Sequence, residues 1–228
     1  MIAHKKEFGG GLLMMAGFWA VFAIIMSPVF AGQNLLDYMD SLYNSISKNS
    51  AYYIPSMKTK AEKFNGNEIS IKIKSGDKAS SARIANLLAA SGATVQEGDG
   101  ELRMSGDLGT ILANVLADAD AMFANNGEAV KAKYGADGKQ TLYDWSKAME
   151  AMEKPLNKQE KFNESKILYQ VRTKSIEPAY NYFGIQAQSI KEKAVVVVLS
   201  LVGYVIYTMW FGFSILFMFE GWGLKLEH

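Results

Sequence analysis

The chain has 228 residues, with 24 Lys and Arg against 23 Asp and Glu, no cysteine and two histidines. A net charge of +1 gives no electrostatic case for a nucleic-acid partner. Without cysteine there is neither a disulfide framework nor a thiolate metal site, and His4 and His228 alone leave little scope for imidazole chemistry.

Residues 1–8 read as a short tail carrying Lys5 and Lys6. The apolar run 9–31 that follows ends Ser-Pro-Val-Phe-Ala-Gly and has the outline of a signal peptide, with small residues near Val29 and Ala31. It is longer than the 7–15 residues of a signal core, so we read it as a retained transmembrane helix. Beyond it, Leu35, Leu36, Met39, Leu42, Tyr43 and Ile46 recur at three- and four-residue spacing. That spacing predicts an amphipathic juxtamembrane stalk helix within residues 32–64, which Pro55 should end or bend.

Residues 65–125 predict a small α+β domain of strand, helix, strand, strand, helix. Glu68–Lys74 alternates strictly and places Ile69, Ile71 and Ile73 on one buried face. Ser75-Gly76-Asp77 supplies a turn and a cap for a helix through Ile84, Leu87 and Leu88 that stops at Gly92. Ala93–Gln96 and Glu101–Met104 read as strands joined around Gly98-Asp99-Gly100, and Asp107 caps a helix lined by Leu108, Ile111, Leu112, Val115, Leu116 and Met122.

Residues 126–193 predict a second helical stalk. Asn125-Asn126-Gly127 breaks the preceding helix, and the helical pattern resumes from Lys139. Leu142, Trp145, Ala148, Met149 and Met152 form a stripe before Pro155; Phe162, Ile167, Leu168 and Val171 form another before Pro178. Residues 194–219 contain no charge and exceed the ~20 apolar residues needed to cross a bilayer core. Lys191, Glu192 and Lys193 flank this second span on one side, Glu220 and Lys225 on the other. Residues 220–228 are a second short tail, whose ending Leu226-Glu227-His228 reads as the start of a purification tag.

The fold class expected is therefore a membrane α-helical protein with two transmembrane helices and an inserted periplasmic α+β domain on a helical stalk. Lys5 and Lys6 precede the first span and Asp37 and Asp40 follow it, so both termini should be cytoplasmic. Residues 32–193 would then be periplasmic, with the chain in a bacterial inner membrane.

No catalytic motif is present: there is no G-x-S-x-G elbow, H-E-x-x-H pair or P-loop. Asp118-Ala-Asp120 superficially resembles a calcium loop, but Met122 stands where a ligand oxygen is needed. We expect no enzyme, no cofactor and no metal.

The informative residues lie in the spans. Gly9, Ala16, Ala20, Ala23 and Ser27 in the first helix, and Ser200, Gly203 and Gly212 in the second, are small residues that let helix backbones approach in lipid. Such faces join either the two helices of one chain or neighbouring chains. A thin two-helix membrane domain favours the second, a homo-oligomer. The function expected is a homo-oligomeric scaffold or assembly protein, with the lipid bilayer, copies of itself and a periplasmic or membrane protein as partners. The alternative is an oligomeric two-span ion channel with an extracytoplasmic cap. Its mouths would be Gln33, Asn34, Asp37 and Asp40 outside and Glu7 and Glu220 inside, although interfacial residues commonly just face water. A second alternative is an accessory or sensor subunit of a larger membrane complex. The aromatic residues Tyr52, Tyr53, Tyr180, Tyr182 and Phe183 would either anchor the stalk at the interface or pack its helices together.

Overall fold

In the computed structural model the elements in chain order are α1 (Lys5–Ile25), α2 (Leu35–Ser50), α3 (Ile54–Ala61), β1 (Glu68–Lys74), α4 (Lys78–Ala90), β2 (Thr94–Glu97) and β3 (Glu101–Asp107). They continue as α5 (Leu108–Phe123), α6 (Gly127–Tyr134), α7 (Gly138–Lys158), α8 (Phe162–Val171), α9 (Glu177–Asn181) and α10 (Ile190–Trp222). The structure describes residues 2–74, 77–98 and 101–224. The turn residues Ser75, Gly76, Asp99 and Gly100, the charge at Lys225 and the ending Leu226-Glu227-His228 lie outside the described residues. The chain divides into two compact units, Met1–Ile46 with Ala187–His228, and Ser47–Gln186.

In the second unit the alternating strand forms as its pattern requires. The sheet is antiparallel in the order β1-β3-β2, with Ile71 opposite Met104 and Ile73 opposite Leu102. These four side chains and Ile69 are buried on one face, while Ser70, Lys72, Lys74 and Arg103 are exposed on the other. Both flanking helices start on side-chain caps. Asp77 accepts the Ser80 N–H at 2.7 Å, and Asp107 accepts the Gly109 N–H at 2.7 Å and the Gly66 N–H at 2.9 Å. The Gly66, Gly109 and Thr110 backbone donors, Gly66 foremost, hold the Asp107 carboxyl below its ordinary range.

The apolar core of this unit is continuous from Ile54 to Ala179 and joins the sheet to the helices after it. Trp145, Met149, Leu168 and Val171 are fully buried in the same cluster as Ile73 and Leu112. Residues on both sides of the boundary expected at 125 therefore share one core.

The prolines sit at helix starts or near a helix end. Pro55 begins α3 rather than ending α2, which stops at Ser50; in the first turn its missing N–H costs no intrahelical bond. Pro178 likewise opens α9, after a π-helical turn at Arg172–Ile176. Pro155 lies inside α7 rather than beyond it, only a turn from the helix end at Lys158. Helix α6 has no counterpart in the sequence reading. It is eight residues long with Val130 as its buried side chain, so it carries no apolar period to detect.

Candidate functional site

Helices α1 and α10 are 21 and 33 residues long, about 31 and 50 Å at 1.5 Å per residue. Both are long and apolar enough to cross a membrane. Of the most apolar stretch of α1 only 6% is buried, and of α10 none. A core helix of comparable composition would be covered by its neighbours; here Leu13 and Val195 are about 70% exposed or more (74% and 70%).

The two helices pack against each other through a seam of small residues. A Cβ added at Gly11 would lie 2.7 Å from the Met218 nitrogen and 2.8 Å from the Ser214 oxygen. One added at Gly221 would lie 2.5 Å from the Phe8 nitrogen, so both positions exclude any side chain. Beyond Gly11, away from Gly221, the Trp210 indole donates to Met14 O at 3.0 Å, the Tyr207 hydroxyl donates to Phe18 O at 3.2 Å, and Phe18 stacks on Tyr207 at 4.3 Å. Advancing along α1 means retreating along α10, so the pair is antiparallel. At its end the Ala3 and His4 N–H groups donate to Gly221 O at 3.0 and 2.9 Å.

The small residues singled out from the sequence lie elsewhere. Gly9, Gly203 and Gly212 have no atom within 4 Å of an added Cβ, and Ala16, Ala20 and Ala23 are exposed. Ser27 donates to Ala23 O at 2.6 Å, and Ser200 donates to Val197 O at 2.7 Å while its oxygen lies 2.7 Å from the Tyr43 hydroxyl. The contact within the chain is thus made by Gly11, Gly17, Ser214 and Gly221, which the sequence reading missed. Ser214 and Gly221 stand seven residues apart, two turns on one face, and that spacing was the available signal.

The residues named as pore mouths have local roles. Gln33 and Phe30 exchange backbone hydrogen bonds at 3.0 Å. Asn34 caps α2, accepting the Asp37 N–H at 2.9 Å while its amide donates to the Asp37 carboxylate at 2.8 Å. Asp40 accepts from Asn44 one turn on at 3.0 Å. Glu7 and Glu220 are exposed in the first turn of α1 and the last turns of α10.

Within the second unit the buried Asp118 carboxylate is met by three side-chain donors, whereas the buried Ser175 hydroxyl has no hydrogen-bond partner among the described residues. Asp118 accepts from Lys133 Nζ at 2.9 Å, the Tyr134 hydroxyl at 2.6 Å and the Trp145 indole at 2.9 Å. Burial, then the Asp118 carboxylate, push the Tyr134 hydroxyl pKa well up. Asp120 accepts from Tyr52 and Lys58, so neither carboxylate of the calcium-like pattern is free. Among the described residues no group of three or more His, Cys, Asp or Glu side chains is placed to hold a metal. Tyr52 and Tyr182 flank the Phe123 ring at 5.1 and 6.3 Å, which makes both part of the packing of this unit.

No protein-family model, curated protein or solved structure matches the chain.

Proposed function

We propose that this is a non-enzymatic membrane protein of the bacterial inner membrane that assembles as a homo-oligomer. In this reading α1 and α10 cross the bilayer, both termini are cytoplasmic, and Ser47–Gln186 is held outside as a scaffold or partner-binding platform. The observation that carries the reading is an uncovered small-residue face. The α1–α10 contact uses Gly11, Gly17, Ser214 and Gly221, and leaves Gly9, Ala16, Ala20 and Ala23 open along α1. Helices in lipid gain little from hydrophobicity on associating, so an open small-residue face is where a second copy gains close contact. Lys5 and Lys6 at the N-terminal end support the cytoplasmic assignment, and the chain ends meeting at Gly221 O support both termini sharing a side.

Mass measurement of the full chain in nanodiscs tests the reading. We expect a closed oligomer that Ala20→Leu with Ala23→Leu reduces to a smaller species; a monomeric wild-type mass overturns it. Cysteine at Asp137 should react with a membrane-impermeant thiol reagent in intact cells, whereas labelling confined to the termini reverses the topology.

A further inference from the structure

The open face of the sheet carries charges that the fold itself does not use. Between β1, β3 and the C-terminal half of α7 lies a groove of about 900 Å³. Lys72, Lys74 and Arg103 reach it from the sheet, and Lys154 and Lys158 from α7. All five are exposed, and among the described residues none of them makes an ion pair. Two carboxylates share the groove. Glu150 is held by Lys147 at 2.9 Å, and Glu101 stands opposite Lys74 in the strand register. The remaining positive charge has no counterpart inside the groove.

Lys72 and Arg103 are directly opposite each other in the β1–β3 ladder. Like charges at such positions destabilise a sheet. Lysines on an edge strand are commonly explained as protection against unwanted strand pairing. That explanation does not extend to Arg103, which sits on the central strand. For β1 the need is reduced as well, because two edge carbonyls already have side-chain donors: Gln159 Nε2 donates to Ser70 O at 2.9 Å and Lys161 Nζ to Glu68 O at 3.0 Å.

We propose that this groove binds a linear anion of closely spaced phosphate groups, of the inorganic polyphosphate type. Four of the five cations are lysines, compact point charges that recognise phosphate without demanding the flat fork geometry of a carboxylate. An acidic peptide would gain its main-chain hydrogen bonds from the β1 edge, where the carbonyls of Glu68 and Ser70 are occupied. A bilayer surface is flat, and the cations here line a cleft between a sheet and a helix.

Titration of the full chain in zwitterionic nanodiscs with inorganic polyphosphate tests the proposal. Binding should weaken with salt, and Lys72→Gln with Arg103→Gln, or Lys154→Gln with Lys158→Gln, should each lower affinity about ten-fold or more and reduce the salt slope. Lys60→Gln with Lys131→Gln, both exposed and outside the groove, should leave it within about two-fold. Lys72→Gln relieves the repulsion at Arg103, so it should keep or raise the melting temperature, which separates lost binding from lost folding. Absence of binding, or equal losses in the control and groove variants, overturns the proposal. So does tighter binding to poly-glutamate, or binding that appears only when the nanodiscs contain phosphatidylglycerol.

Discussion

Lys48 Nζ donates to the Asn125 side-chain oxygen at 2.9 Å, and that same oxygen accepts the Gly184 N–H at 2.8 Å. The Lys48 ammonium also donates to Ile185 O at 2.7 Å and Tyr182 O at 3.1 Å, and lies 5.1 Å over the Phe123 ring. It is 3% exposed and surrounded by neutral acceptors, so burial holds its pKa below the ordinary lysine value. Asn125 itself sits in the left-handed region, at φ 64°, which asparagine tolerates better than most residues. One amide thus ties the end of α5 to the segment after α9.

Asn125→Gly keeps the backbone conformation and removes the amide. It should destabilise the Ser47–Gln186 unit by about 1–3 kcal/mol, because Lys48, Gly184 and Ile185 each lose a partner. Thermal melting checks this, and an unchanged melting temperature would remove Asn125 from its bridging role. Lys48 also has a pH signature. Between its lowered folded-state pKa and the unfolded 10.5, the unfolded chain binds more protons, so this residue's contribution to stability grows as pH rises through that window. Lys48→Met should flatten that rise.

Asp118 is 4% exposed and takes three donors. Asp118→Ala would leave the Trp145 indole and Tyr134 hydroxyl unpaired beside an uncompensated Lys133, costing about 3–5 kcal/mol. Thermal melting followed by circular dichroism checks this, and a loss under about 1 kcal/mol would mean that water replaces the carboxylate.

Asp107 contributes to the acid limb of stability. Its folded-state pKa is depressed by the Gly66, Gly109 and Thr110 backbone donors. Its contribution is therefore fully present above the unfolded value of 3.8 and is lost as pH falls through the folded one. Asp107→Ala should cost about 1 kcal/mol near neutral pH and less in acid. Melting curves compared from pH 7 downward should converge for wild type and variant; parallel curves would contradict the assignment.

The seam and the open face of α1 should separate by mutation. Gly221→Leu places side-chain atoms where Phe8 already stands and should lower thermal stability by about 1–3 kcal/mol with the assembly mass unchanged. Ala20→Leu with Ala23→Leu should do the reverse, changing mass and sparing the melt. If both variants lose stability alike, the open face takes part in packing within the chain.

What the sequence determined by itself was set by local periods and local chemistry. Alternation at Glu68–Lys74 placed Ile69, Ile71 and Ile73 inward, and Asp77 and Asp107 marked helix starts, because a strand's period and a cap's reach involve only neighbouring residues. The two long apolar helices were legible for the same reason: hydropathy summed over 20 residues or so needs no tertiary information. Tertiary structure decided which faces meet. Gly11 and Gly221 form the α1–α10 seam instead of Gly9, Gly203 and Gly212, since close approach depends on the crossing of two helices far apart in the chain. The Lys48–Asn125 contact was silent as well, and so was the gathering of Lys72 and Arg103 with Lys154 and Lys158 along one groove. Each joins residues tens of positions apart, and only the folded chain brings Lys48 to 2.9 Å from Asn125 or sets both pairs of cations along one groove.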